Sequence, residues 1–114
     1  MVDCIFCKIV NKSIPVNLIF EDDEIIAFRD INPQAPVHVL IIPRKHIDST
    51  MDISKTDESL IGRIHTAAQK IAINESVDKT GFRIVSNNGP DAGQAVAHLH
   101  FHLLGKRKLN WPPG

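Results

Sequence analysis

Three of the six histidines in this 114-residue chain, His98, His100 and His102, are spaced by two within AHLHFHLLG at 97–105. On an extended strand alternate side chains share a face, so the imidazoles point one way while Leu99, Phe101 and Leu103 point the other. At a rise of about 3.3 Å per residue, His98 and His102 stand roughly 13 Å apart at the backbone. Two neighbours could share a zinc ion; three on one straight strand could not without strain. A division of labour is the more economical reading. A neutral imidazole held in one tautomer is a good nucleophile toward phosphorus, and flanking imidazoles and loop amides can neutralise charge on phosphoryl oxygens. Well-bonded core histidines are the alternative, and strict alternation after a polar, glycine-containing loop weighs against it. Nucleotidyl or phosphoryl transfer through a histidine fits the pattern.

A second chemical feature lies at the start of the chain. Cys4 and Cys7 form C-x-x-C, half of a zinc site, and completing a tetrahedron needs two further ligands, for which histidines are the free candidates. Two reduced, inert thiols are the competing reading. A thioredoxin-like redox motif fits less well, because its βαβ surroundings are missing.

The elements that must position these residues follow from the hydrophobic pattern. CIFCKIVNKSIP reads as a short helix and a turn. NLIFEDD and EIIAFRDI, split by the acidic cluster at 21–24, form a hairpin. NPQAP is a rigid loop, since neither Pro33 nor Pro36 can donate a ladder hydrogen bond. VHVLIIP is a third strand, FRIVSNN a fourth and HLHFHLLG a fifth. The segment 54–76 is the one clear helix: Leu60, Ile61, Ile64, Ala67, Ala68, Ile71 and Ala72 fall on one stripe, and Ser54 with Asp57 suits a capping box. The chain therefore reads as a single α+β domain over 1–114, a five-stranded antiparallel sheet with one long helix and a short N-terminal helix. So small a sheet has exposed edges, which dimerisation often covers.

Composition excludes several classes. Thirteen basic and thirteen acidic residues cancel, so nothing draws the whole chain to nucleic acid or to an anionic membrane. The basic run KRK at 106–108 reads as a solvated face. No window holds the roughly 20 apolar residues of a transmembrane helix, and MVDCIFCKIV lacks the pattern of a signal peptide. A cytoplasmic location with reduced cysteines is expected.

HLHFHLL resembles the H-φ-H-φ-H-φ-φ signature of the histidine-triad (HIT) superfamily of nucleotide hydrolases and transferases. CIFCKI, FEDDEIIAFRDINPQAPVHVLIIPRKHI, NNGPDAGQAVAHLHFHLLG and WPPG are similar in order to its Hint branch, across almost the whole chain. The resemblance implies a HIT-like fold and a hydrolase that cleaves purine nucleoside phosphoramidates or acyl-nucleotides, such as AMP-lysine or an aminoacyl-adenylate, to a nucleoside monophosphate. His100 would be the nucleophile, His102 the α-phosphate contact and His98 the supporting member. Asn87, Gln94 and the loop amides of Gly93, Ala95 and Val96 would face the phosphate, and Asp30 the ribose hydroxyls. Ile5, Phe6, Ile9, Phe28 and Ile31 would form the apolar slot for the base; taken singly, each would otherwise be read as core. His38 falls behind the nucleophile as an orienting residue. His65 matches no motif and reads as exposed or structural.

The resemblance also completes the metal set. His46, in PRKH, and His98 would join Cys4 and Cys7 around a structural zinc, with no metal needed for catalysis. The family implies a homodimer whose C-terminal tail, 110–114 with Trp111, lies near the partner's active site; Trp111 covering its own core edge is the alternative. Many Hint sequences carry serine after Gln94, and here Ala95 stands instead. Leaving-group assistance is then expected to be weaker, or to come from the partner chain or water. Rival readings are a dinucleoside polyphosphate hydrolase of the Fhit type, disfavoured by WPPG and the short chain, a nucleotide-binding scaffold with little turnover, and a zinc hydrolase using the triad as ligands.

Overall fold

The computed structural model describes residues 4–114. The expected domain span of 1–114 and the reading of the N-terminal stretch extend over residues 1–3, which lie outside the described residues. A short helix, α1 (Ile5–Val10), precedes strands β1 (Leu18–Glu21), β2 (Ile25–Arg29) and β3 (Val37–Pro43). The long helix α2 (Glu58–Asn74) follows, then β4 (Phe82–Val85) and β5 (Phe101–Gly105). The sheet is five-stranded with order β1-β2-β3-β5-β4, and every pairing is antiparallel.

Both faces of the sheet centre are covered, which explains why β2 and β3 read as continuous apolar runs instead of alternating. All seven residues of β3 are buried. On one face Ala27, Val39, Ile41, Phe101 and Leu103 pack against Leu60, Ile64, Ala67, Ala68, Ile71 and Ala72 of α2. On the other, Ile26, Phe28, Leu40 and Ile42 pack with Cys4, Phe6 and Ile9 of the α1 segment. Deleting such a side chain, for example Ile64→Ala, costs about 2–5 kcal/mol through lost burial and the cavity left behind. Among the described residues, no helix is long and apolar enough to cross a membrane.

Local chemistry sets the boundaries. Asp22 Oδ1 accepts the Glu24 and Ile25 N–H groups at 2.9 and 2.8 Å, a side-chain turn that closes the β1–β2 hairpin. Asp57 accepts the Ser54 N–H at 3.0 Å, so the expected cap is present, but it opens with a 3-10 turn over Lys55–Asp57 before α2 begins. At the end of β5, a Cβ on Gly105 would meet Val77 Cγ1 at 2.8 Å, a close approach that only glycine allows.

β4 and β5 are shorter than the pattern predicts in ways that bear on the site. β4 stops at Val85, leaving Asn87 and Asn88 in the following loop, where Asn88 Oδ1 accepts the Met51 N–H at 3.1 Å. β5 starts at Phe101, so His98 and His100 lie before the strand and only His102 is in it. The register pairs Ile41 with Phe101, which would set Leu99 opposite Pro43. Proline has no N–H to continue the ladder, and the Leu99 N–H turns to the Ile47 carbonyl at 2.6 Å. The alternation of faces survives all the same. Leu99, Phe101 and Leu103 enter the α2 core, and the rings of His98 and His100 meet Phe6 of α1 edge-on at 5.8 and 5.1 Å.

Candidate functional site

The three histidines have three different sets of partners. His98 is fully buried. Its Nε2 lies 2.9 Å from the Pro43 carbonyl, and a carbonyl only accepts, so Nε2 carries the proton and Nδ1 the lone pair. That Nδ1 faces the Cys4 and Cys7 sulfurs at 3.5 and 3.6 Å. Burial pushes the His98 pKa down, which keeps the ring neutral.

His100, also buried, has Nδ1 2.7 Å from the His98 carbonyl. The same logic protonates Nδ1 and leaves the lone pair on Nε2. His102 meets it edge-on, ring centroids 5.1 Å apart, and its Nδ1 is 2.9 Å from His38 Nε2. The neighbouring strands place this pair, since Leu40 faces His102 in the β3–β5 register and His38 sits two residues before Leu40 on the same face. His38 Nδ1 accepts the Gln34 backbone N–H at 3.0 Å. His38 must then be protonated at Nε2, where it donates to His102 Nδ1, with Asp30 Oδ2 also 3.4 Å away. His102 in turn is left with its N–H at Nε2. Burial, reinforced by the neighbouring His100 and His38, pushes the His102 pKa down to about 4. Burial lowers that of His38 too, against the pull of Asp30. Both rings are neutral at pH 7, and their tautomers are set by a backbone donor. His38 was expected behind the nucleophile; its direct partner is His102, which in turn contacts His100.

Two clusters bring potential metal ligands within 4.8 Å of one another: Cys4, Cys7, His46 and His98, and Asp30, His38 and His102. The first fits a zinc ion. His46 Nε2 donates to Asp48 Oδ1 at 2.6 Å, so its Nδ1 lone pair faces Cys7 Sγ at 3.2 Å. Tetrahedral zinc with ordinary Zn–S and Zn–N bonds separates sulfur from nitrogen by about 3.6 Å, close to the three S···N distances here. Burial and the adjacent Cys4 raise the Cys7 pKa, a cost that a bound cation reverses by favouring thiolate. The second cluster does not fit, because the Gln34 N–H takes the outer lone pair of His38 and leaves a proton pointing inward.

The remaining expected site residues fall in several places. Phe6, Ile9 and Phe28 are buried in the α1-side cluster, whereas Ile5 is 47% and Ile31 97% exposed. Asp30 Oδ1 accepts the Asn32 N–H at 2.8 Å. Gln94 braces its loop: Oε1 accepts the Gly89 N–H at 2.9 Å, and Nε2 donates to the Asp48 and Val96 carbonyls at 2.8 and 3.1 Å. Gly93, at φ 78°, makes the left-handed turn before it. Ala95 and Val96 line a cavity of about 370 Å³ with Cys4, Ile5, His46, Asp48 and Ala97. Asn87 is half-buried in the loop after β4. Trp111 is 81% exposed and does not cover its own core edge. His65 is exposed, its ring 5.7 Å from Phe101.

Three contributors escaped the sequence reading. Asp48, two residues after His46, could have been found as an H-x-D pair in which a carboxylate orients a ligand histidine. The Pro43 carbonyl and the Gln34 N–H are backbone groups and leave no mark in residue type.

The HIT domain family matches residues 11–109. The chain is 47% identical over 115 residues to the 14 kDa zinc-binding protein of Brassica juncea, covering 98% of this chain and 100% of that relative. It is 48% identical over 113 residues to adenylylsulfatase HINT1 of Arabidopsis thaliana, covering 96% of this chain and 76% of the relative. The solved HIT family hydrolase from Legionella pneumophila Philadelphia 1 superposes with a TM-score of 0.97 at 48% identity, covering 98% of this chain and 100% of that one.

Proposed function

The chain belongs to the HIT domain family, and from that premise we propose that it hydrolyses purine nucleoside 5'-phosphoramidates or acyl-nucleotides through a covalent nucleotidyl-His100 intermediate. One observation carries the reading: the 2.7 Å bond from His100 Nδ1–H to the His98 carbonyl, which leaves Nε2 as the free lone pair. That Nε2 attacks the α-phosphorus. The bond to the amine or acyl oxygen breaks, the leaving group takes its electron pair, and the carbonyl stabilises the positive charge growing on the ring. His102 presents its Nε2–H to a phosphoryl oxygen as negative charge builds there. Water then attacks the same phosphorus, and His100 departs as neutral imidazole with release of a nucleoside monophosphate. An amine leaving group also needs a proton; Ala95 has none to give, so water or the partner chain supplies it.

The carboxylate of Asp30 accepts from the ribose hydroxyls, and Ile5 and Ile31 rim an apolar slot backed by Phe6, Ile9 and Phe28. The hydrolase among the relatives supports hydrolysis, and the adenylylsulfatase supports an adenylyl group as the part transferred. Cys4, Cys7, His46 and His98 would hold zinc, as the zinc-binding relative supports. With four protein ligands the ion would have a structural role, tying α1 to the segment whose carbonyl orients His100. Catalysis itself uses no metal in this reading. The exposed Trp111 and the unpaired outer edge of β4 support a homodimer with the tail near the partner's site, and sedimentation at the mass of a single chain would refute that. A reducing, cytoplasmic compartment suits the two thiols.

Incubation with adenosine 5'-phosphoramidate should release AMP, and His100→Ala should lower the rate at least about 10³-fold while nucleotide still binds. Undiminished turnover in that variant would overturn the mechanism.

A further inference from the structure

The basic run after β5 contains one side chain that is not simply solvated. Arg107 is exposed, yet its Nε–H donates to the Gln34 carbonyl at 2.9 Å and its Nη1 to the Lys108 carbonyl at 3.0 Å. Gln34 is the residue whose own N–H holds His38 Nδ1 at 3.0 Å. The β2–β3 loop is thereby pinned at two points. At one, Asp30 accepts from Asn32, and the Gln34 side chain donates to the Asn32 carbonyl at 3.1 Å. At the other, Arg107 holds Gln34 from the tail. Pro33 and Pro36 bracket Gln34 and offer no N–H, so neither can replace the Gln34 donor if the loop turns.

We propose that Arg107 is a positioning residue for the histidine site, acting through Gln34 and His38 to hold His102 in the tautomer that presents Nε2–H to substrate. The order of action is explicit. The guanidinium anchors the Gln34 carbonyl and so holds that residue in place; the Gln34 N–H, on the preceding peptide, then stays aimed at His38 and fixes its lone pair at Nδ1, and His38 Nε2–H fixes the lone pair of His102 at Nδ1. Both His38 and His102 are neutral at pH 7, so each has two tautomers to choose between. Only one choice points a donor away from His38. The planar fork of arginine reaches two carbonyls at once, whereas a lysine ammonium on a flexible stem has no fixed pair of directions. The catalytic consequence rests on the proposed reaction; the tautomer assignment does not.

The test uses the full chain and the variants Arg107→Ala and Arg107→Lys, with Lys108→Ala as the control that removes a neighbouring cation but keeps the backbone carbonyl. Nitrogen-15 NMR of the imidazoles, without substrate, should show His38 and His102 as single Nε2–H tautomers in the wild type and in Lys108→Ala. Both Arg107 variants should give mixed tautomers at His38. With adenosine 5'-phosphoramidate, kcat should fall about threefold to tenfold in Arg107→Ala, the effect expected of one lost hydrogen bond, with KM within about twofold. An unchanged His38 tautomer in Arg107→Ala overturns the proposal, as does an equal fall of kcat in Lys108→Ala. If the tautomers shift as stated but the wild type does not cleave the phosphoramidate, the positioning role stands and the proposed reaction fails.

Discussion

Two clusters of histidine and its partners lie on the same side of the sheet, close enough in composition to be mistaken for a pair of metal sites. At Cys4–Cys7–His46–His98, acceptors stand outside the rings: the Pro43 carbonyl behind His98 and the Asp48 carboxylate behind His46. They draw each proton outward and leave two Nδ1 lone pairs converging on two sulfurs. At Asp30–His38–His102, a donor stands outside, the Gln34 N–H, and it draws a lone pair outward. A proton is left between the rings, so the cluster passes a hydrogen bond along where the other would bind a cation. Residue type and spacing do not separate these outcomes. The outermost hydrogen bond does, because a neutral imidazole has one proton to place.

The largest effect that distinguishes the clusters is on metal content. Protein purified in the presence of zinc should carry one equivalent, and Cys4→Ser should carry none and lose several kcal/mol of stability. Stoichiometric zinc persisting in Cys4→Ser would refute the ligand set, and a second equivalent lost only on changing His102 would erase the contrast. A smaller effect follows from the pH at which each cluster resists charge. His102 titrates at about 4 in the fold against an ordinary value of 6.5, so between these values the unfolded chain binds more protons. Stability therefore rises with pH across that window and is lost as pH falls through it. Denaturant titrations should show a slope from about pH 4 to 6.5 that is reduced in His102→Phe; an identical slope in that variant would remove His102 from the account. The Arg107 variants bear on the same cluster more gently still, since they shift a tautomer without charging a ring.

Much of the frame was legible. β3 runs over the whole of VHVLIIP, and the apolar stripe of α2 is the face that packs on the sheet. The shortened β5 was legible in principle, because Pro43 lies where the register would ask Leu99 for a partner. The C-x-x-C pair and the histidine alternation announced chemistry, and the family resemblance supplied His46. What stayed hidden was the placement of protons. Gln34 acts through its backbone N–H and Pro43 through its carbonyl, and any residue type could supply the carbonyl. Arg107 belongs to a run of three basic residues, and nothing in that run says which of them turns back onto the β2–β3 loop.

The central claim is that His100 carries the nucleotide between the two halves of the reaction. Wild-type protein mixed with adenosine 5'-phosphoramidate, quenched in alkali within the first turnover and measured as intact mass, should gain one adenylyl group. Peptide mapping should place that group on His100, and His100→Ala should show none. An adduct on His98 or His102, or steady AMP release with no adduct in the first turnover, would contradict the account.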